Sequence, residues 1–169
     1  SQTFKTIRYE PVKNGVARIV ISRDEARNAQ NREMTYELNS AFDLAAQDNE
    51  VNVIVLAADG KHFSSGHDLR DRAKLSEFET VGTWGGFDLP GSEGSWAVEA
   101  EIYLGMCWRW RNIPKPIIAE VQGKVIAGGL MLIWVCDMII ASDDVSFYDH
   151  VVAFGVIGGG VLWLPWEGG

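Results

Sequence analysis

The chain has 169 residues, 47% apolar and 22% charged, which excludes a disordered or fibrous class and suffices for one domain with a buried core. Its net charge of -8 is uneven: residues 1–74 carry eleven Lys or Arg against eleven Asp or Glu, and residues 75–169 carry four against twelve. An acidic chain without a basic run argues against nucleic acid as a partner, and the longest apolar run, "LMLIWVC" at 130–136, is far shorter than the ~20 residues of a membrane helix.

In chain order, "GVARIVIS" at 15–22 is rich in β-branched residues and follows the turn "KNG", so it reads as a strand. "RDEARNAQN" breaks it. Met34, Leu38, Ala41, Phe42 and Ala45 then recur at spacings of three and four, predicting one apolar face of a helix that ends near Gln47. "NVIVLAA" is a continuous apolar run of strand length, as expected of a strand covered on both faces. Strand, helix, strand implies a parallel crossover.

Residues 79–96, "ETVGTWGGFDLPGSEGSW", are Gly-rich and without period, which predicts a long loop. Val98, Ile102, Met106 and Trp110 predict a helix over roughly 97–112, stopped by "IPKP". A strand "IIAEVQG", a short link, a buried helix from "GGLMLIWVCD", a short strand "MIIAS" and an extended "VSFYD" follow. The class is α/β with repeated crossovers. Cys107 and Cys136 lie in apolar stretches and read as reduced core residues; with an N-terminus lacking a secretory pattern, they place the chain in the cytoplasm. The apolar end "GVIGGGVLWLPWEGG" has no following element to bury it, so a fragment, or an uncertain sequence after about residue 157, is expected.

Two turns stand out chemically. In "GKHFSSGHDL", Gly66 permits close approach to the backbone, and residue 67 offers a main-chain N–H. In "VIAGGLML", Gly128 and Gly129 open the apolar helix, where N–H groups lack intrahelical partners. Brought to neighbouring strand ends, they would supply two donors to one oxygen, an oxyanion hole worth about 3 kcal/mol per donor. The His67 side chain is expected to point outward, leaving only its N–H relevant. Arg23, Arg27, Lys61, Arg70, Arg72 and Lys74 are the cations placed to meet the phosphates of a ligand, although a solvated mixed-charge surface is their ordinary role.

"RIVISRDEARNAQN", "VNVIVLAADGKHFSSGHDL", "IPKPIIAEVQGKVIAGGLMLIWVCDMIIAS" and "FYDHVVAFGVI", in this order and spacing, resemble the enoyl-CoA hydratase/isomerase, or crotonase, superfamily over residues 5–157. The resemblance implies a single α/β core domain over residues 1–169, a crotonase-like spiral of repeated ββα units with the family's C-terminal helical part absent. It implies His67 and Gly128 as the oxyanion-hole positions. Ala26, Arg27, Ala29, Ser65, Asp68 and Leu69 would line the groove for the adenine and pantetheine of coenzyme A, with Gly129, Met131 and Val151 also at the substrate. It further implies an acyl-CoA thioester as substrate with no permanently bound cofactor or metal, and a homo-oligomer, trimeric or hexameric.

The two glutamates with which hydratases of this superfamily activate water align with Met131 and Val151, and neither residue carries a proton. Asp149 and His150 are the nearest replacements, against their ordinary roles as a turn residue and a partly buried packing residue. Glu93, Glu99 and Glu101 are the acids that could swing in from the segment nearby. A hydratase, an isomerase and a non-catalytic acyl-CoA binding subunit stay open on these residues.

Overall fold

The computed structural model describes residues 3–150. Strands β1 (Ile7–Lys13) and β2 (Val16–Ile21) form an antiparallel hairpin. Its turn residues Asn14 and Gly15 both have positive φ, 54° and 77°, the Asn-Gly geometry whose twist matches a hairpin. The sequence reading located β2 but not its partner, because "IRYEPVK" alternates charge with apolar residues and contains a proline. Pro11 sits on an edge strand, where a missing N–H costs least.

Helix α1 (Arg32–Gln47) starts where expected, its first turn capped by Asn31, whose side chain accepts from the Met34 N–H at 3.0 Å. Met34, Leu38, Ala41, Phe42 and Ala45 all face the core. The chain then enters β3 (Val53–Ala58), parallel to β2 with Val16 opposite Val53 and Ile21 opposite Ala58. After the long connection comes α2 (Ser92–Glu99), which runs through a π-helical segment, Ala100–Gly105, into α3 (Met106–Arg111). The helix begins five residues before the predicted start. Gly94 hid it: a low-propensity residue, it is required because a Cβ there would overlap the carbonyl of Leu89.

β4 (Ile117–Val121) and β6 (Met138–Ala141) complete a five-stranded sheet in the order β1-β2-β3-β4-β6, all pairs after the hairpin being parallel. Between them, β5 (Lys124–Ile126) precedes α4 (Gly128–Trp134) and pairs in parallel with β7 (Ser146–Tyr148). The stretch read as a link is therefore a strand, too short at three residues to show a period. Two strands followed by a helix occur twice, as β1-β2-α1 and β4-β5-α4.

The parallel register has a consequence for position. Ile21, Ala58 and Val121 end their strands along one edge of the sheet, so the segments that follow them leave side by side, the usual place for a site in a parallel α/β sheet. The core beneath contains Phe42 and Trp110, whose rings lie 5.3 Å apart. Cys107 and Cys136 are buried free thiols, and burial pushes Cys107 up to about 12. Among the described residues no helix is long and apolar enough to cross a membrane.

Candidate functional site

The segment after β2 is wound tightly onto the segment after β3. Arg27 and Asn28 both take φ of 54°, a left-handed pair that turns the chain back beneath itself. Asn28 tolerates this conformation better than most residues, and its fully buried amide holds the two segments together. Its Nδ2 donates to the carbonyls of Asp59 and His62, at 2.8 and 2.9 Å, and its Oδ1 accepts from the Arg23 N–H at 2.9 Å.

From there the chain runs alongside the turn that carries residue 67. The Ser65 N–H donates to the Arg27 carbonyl (3.1 Å), the Gln30 N–H to the Gly66 carbonyl (2.8 Å) and the Asp68 N–H to the Gln30 carbonyl (2.8 Å). This parallel bridge between Gln30 and His67 uses the groups on either side of residue 67 and leaves the His67 N–H without a hydrogen bond among the described residues. Buried Ser64 sits beneath: its hydroxyl donates to the Asn28 carbonyl at 2.8 Å and accepts from Gln30 Nε2 and the Gly66 N–H, each at 3.2 Å.

The second turn arrives through β5. Ser64 and Val125 form a parallel bridge, with the Ser64 N–H donating to the Lys124 carbonyl and the Ile126 N–H to the Ser64 carbonyl. Gly66, at φ 90°, passes so close that a Cβ on it would lie 2.8 Å from the Ile126 carbonyl oxygen and 3.4 Å from the Gly128 nitrogen. Ala127 bends the chain at φ 47°, ψ -108°, and α4 begins. A Cβ on Gly129 would press on Ser64 at 3.0 Å. The Gly128 N–H, first in its helix, has no hydrogen-bond partner among the described residues. The two glycine turns are thus in contact, each with an N–H that has no partner among the described residues.

The His67 side chain does not point outward. Its ring stacks on Tyr103 with centroids 3.8 Å apart and planes 18° from parallel, and its Cδ2–Nε2 edge occupies the space that a side chain at Gly128 would need. Among the described residues the buried Nε2 has no hydrogen-bond partner. Desolvation depresses the ring pKa to about 4, so the imidazole is neutral near pH 7.

Of the remaining predicted residues, Ala26 and Ser65 are half-buried, Ala29 is buried, and Arg27 and Leu69 are exposed on the rim of the same loop pair. Asp68 pairs with Arg23 at 2.7 Å. Desolvation alone would raise the Asp68 carboxyl, but hydrogen bonds from Arg23 and the Arg70 N–H outweigh it and hold it below the usual carboxylate range. Met131 is half-buried near the start of α4 and lines a small cavity with Cys107, Trp134 and Val135.

Asp149 and His150 follow β7, whose Tyr148 carbonyl accepts from the Ala127 N–H at 2.9 Å, so both lie near the Gly128 turn along the chain. Both are exposed. His150 stacks on Tyr148 at 5.5 Å, a surface position in place of the partly buried one expected. Val151 and the apolar end lie outside the described residues.

Glu101 cannot swing in. Fully buried in the π-helical segment, its carboxylate accepts from the N–H groups of Val81 (2.6 Å) and Gly82 (2.9 Å) and from the Tyr36 hydroxyl (3.1 Å). It fastens the Gly-rich connection to the helix. Glu93 and Glu99 are exposed. Reading the sequence missed Asn28, Gln30, Ser64 and Tyr103; the only available signal was the run of small polar residues in "RNAQN" and "FSS", which composition alone assigns to turns. Among the described residues no group of three or more His, Cys, Asp or Glu could hold a metal ion.

Comparison with known proteins agrees with this architecture. The family model described as enoyl-CoA hydratase/isomerase matches residues 11–89 and 96–167. A Mycobacterium tuberculosis protein, EchA13, is 40% identical over 98% of the chain, which covers 55% of that relative. Crystal structures of proteins from Mycobacterium smegmatis (TM-score 0.77, 47% identity) and Mycobacterium thermoresistibile (TM-score 0.76, 46% identity) each match 90% of the chain, which covers 55% and 56% of theirs. All three carry the enoyl-CoA hydratase name provisionally. The chain spans about half the length of the relatives it matches.

Proposed function

Because the chain belongs to the enoyl-CoA hydratase/isomerase family and has its crotonase-like α/β fold, we propose that it binds acyl-CoA thioesters. The thioester carbonyl is held between the main-chain N–H groups of His67 and Gly128. The observation that carries this reading is the contact of the two glycine turns, each with an N–H that nothing in the described chain satisfies. Two such donors meeting the negative charge of a thioester enolate would lower the barrier by about 3 kcal/mol each.

Ala26, Arg27, Ala29, Ser65, Asp68 and Leu69 line the groove for coenzyme A, and Gly129, Met131 and Val151 stand beside the acyl chain. The reaction is water addition to a 2-enoyl-CoA or the related double-bond isomerisation, with Asp149 or His150 moving the proton. No permanently bound cofactor enters this chemistry. The working form is a cytoplasmic homo-oligomer, trimeric or hexameric.

A second reading rests on the resemblance, which aligns Met131 and Val151 with the two glutamates of hydratases; general acid–base catalysis contributes about a hundred- to ten-thousand-fold, and a non-catalytic acyl-CoA binder needs only the donors and the groove. Loss of enoyl absorbance from crotonyl-CoA, measured beside calorimetric binding of the same thioester, separates the readings. Turnover that falls in Asp149→Asn supports the enzyme, binding without turnover supports the binder, and neither binding nor turnover contradicts both.

A further inference from the structure

Two residues of one helical turn reach in different directions. Glu101 and Tyr103 both belong to the π-helical segment Ala100–Gly105, a geometry that is rare in proteins and frequent at functional sites. Gly105 ends that segment, and a Cβ on it would lie 2.7 Å from the Ala100 carbonyl oxygen. Residues two apart project from roughly opposite sides of a helix. Glu101 accordingly holds the connection before α2, through the N–H groups of Val81 and Gly82, while Tyr103 lies on the His67 ring at 3.8 Å. One turn thus touches both the exposed stretch 81–86 and the loop that presents the residue-67 N–H.

We infer that Glu101 and Tyr103 are positioning residues that act as one unit: the connection, fastened at Glu101, keeps Tyr103 in place, and Tyr103 keeps the main-chain donor at residue 67 where a thioester oxygen requires it. The donor's role rests on the acyl-CoA reading above; the mechanical link does not. A fully buried carboxylate is costly unless its hydrogen bonds are met, and bonds from N–H groups to such an acceptor are about twice as strong as neutral ones. Val81 and Gly82 therefore cannot draw away while Glu101 stays where it is, and the π-helical turn moves with them. Tyr103, two residues on, leaves the ring that rests on Gly128. Gly82 is where this link can be disturbed from outside. It is exposed, and a Cβ on it would lie 2.5 Å from Glu101 Oε2; Glu101 is pinned by three hydrogen bonds, so the contact cannot be relieved by a simple swing of the side chain. Gly85, on the same stretch, has nothing within 4 Å of its Cβ position.

The test compares Gly82→Ala with Gly85→Ala in the 169-residue chain. Calorimetric affinity for butyryl-CoA should fall about fivefold or more in Gly82→Ala and stay within about twofold of native in Gly85→Ala. Added to Tyr103→Leu, which has already removed the stack, Gly82→Ala should change affinity by less than about twofold; added to Tyr103→Phe, which keeps a ring on His67, it should act as it does alone, because residues coupled through one contact are not additive. In the ligand-free protein, hydrogen exchange of the Ser65 and Asp68 amides, both bonded across the loop pair, should quicken several-fold in Gly82→Ala and not in Gly85→Ala. Equal behaviour of the two glycine variants, or a Gly82→Ala effect undiminished in Tyr103→Leu, overturns the inference and leaves acyl-CoA binding standing. Should Tyr103→Leu not fold, the exchange comparison of the glycine variants decides: faster exchange in Gly82→Ala alone supports the link and equal rates overturn it. Absence of butyryl-CoA binding by the native protein overturns the acyl-CoA reading, and the same exchange rates then support or overturn the link by themselves.

Discussion

The imidazole of His67 occupies the side-chain space of Gly128, with Cδ2 and Nε2 resting where a Cβ would be built. The two residues whose N–H groups are proposed to hold one oxygen are therefore also in side-chain contact. The contact locks the turn after β3 onto the start of α4.

Gly128→Ala should break that lock. The methyl group must displace a stacked ring, and overpacking of this kind costs about 1–3 kcal/mol. Thermal denaturation should show the loss, and calorimetry should show crotonyl-CoA affinity falling by tenfold or more as the two turns separate. Native stability and affinity together would mean that the ring moves aside freely.

Asn28→Ala removes three hydrogen bonds made by a fully buried amide and takes a partner from the Asp59 and His62 carbonyls and the Arg23 N–H, which lie in partly buried turns. The expected cost is about 3 kcal/mol, read by urea denaturation. Asn28→Asp keeps the acceptor for Arg23 but turns an oxygen toward two carbonyls, so it should be no better than alanine.

This loop pair marks the limit of what the sequence makes legible. The α1 face, the strand after it and the two glycine turns are written in periodicity and in Gly spacing, which act locally. The Asn28–Ser64–Gln30 network is not, because it joins residues more than thirty positions apart and uses residue types that serve equally well in any turn. The direction of the His67 side chain is set by Tyr103, thirty-six positions on and inside a π-helical segment that no helical period reveals. The start of α2 was obscured for another reason: its glycine is dictated by close packing on Leu89, against helix propensity.

Stability should depend on pH through His67. Its folded pKa is depressed from 6.5 to about 4, so between these values the unfolded chain binds the proton and the folded one does not. Stability is unaffected by this group above about pH 6.5, falls as pH drops through the window, and is lower by about 3 kcal/mol below pH 4. Melting temperatures of the native protein and His67→Phe across pH 4–8 should diverge along this window. Parallel curves would mean that the ring titrates normally.

Glu101→Gln keeps the shape of the carboxylate that fastens residues 81 and 82 but removes its charge and one acceptor. Charge-assisted bonds of this kind are about twice as strong as neutral ones. Limited proteolysis should cut within the connection before α2 several-fold faster in the variant, and unchanged cutting would show that the connection is held elsewhere.

The central claim concerns two main-chain nitrogens and one oxygen. A crystal structure with an unreactive coenzyme A thioester bound measures it directly: the His67 and Gly128 nitrogens should both lie about 2.7–3.2 Å from the thioester carbonyl oxygen. A thioester bound elsewhere, or with its oxygen beyond reach of either nitrogen, would contradict the account.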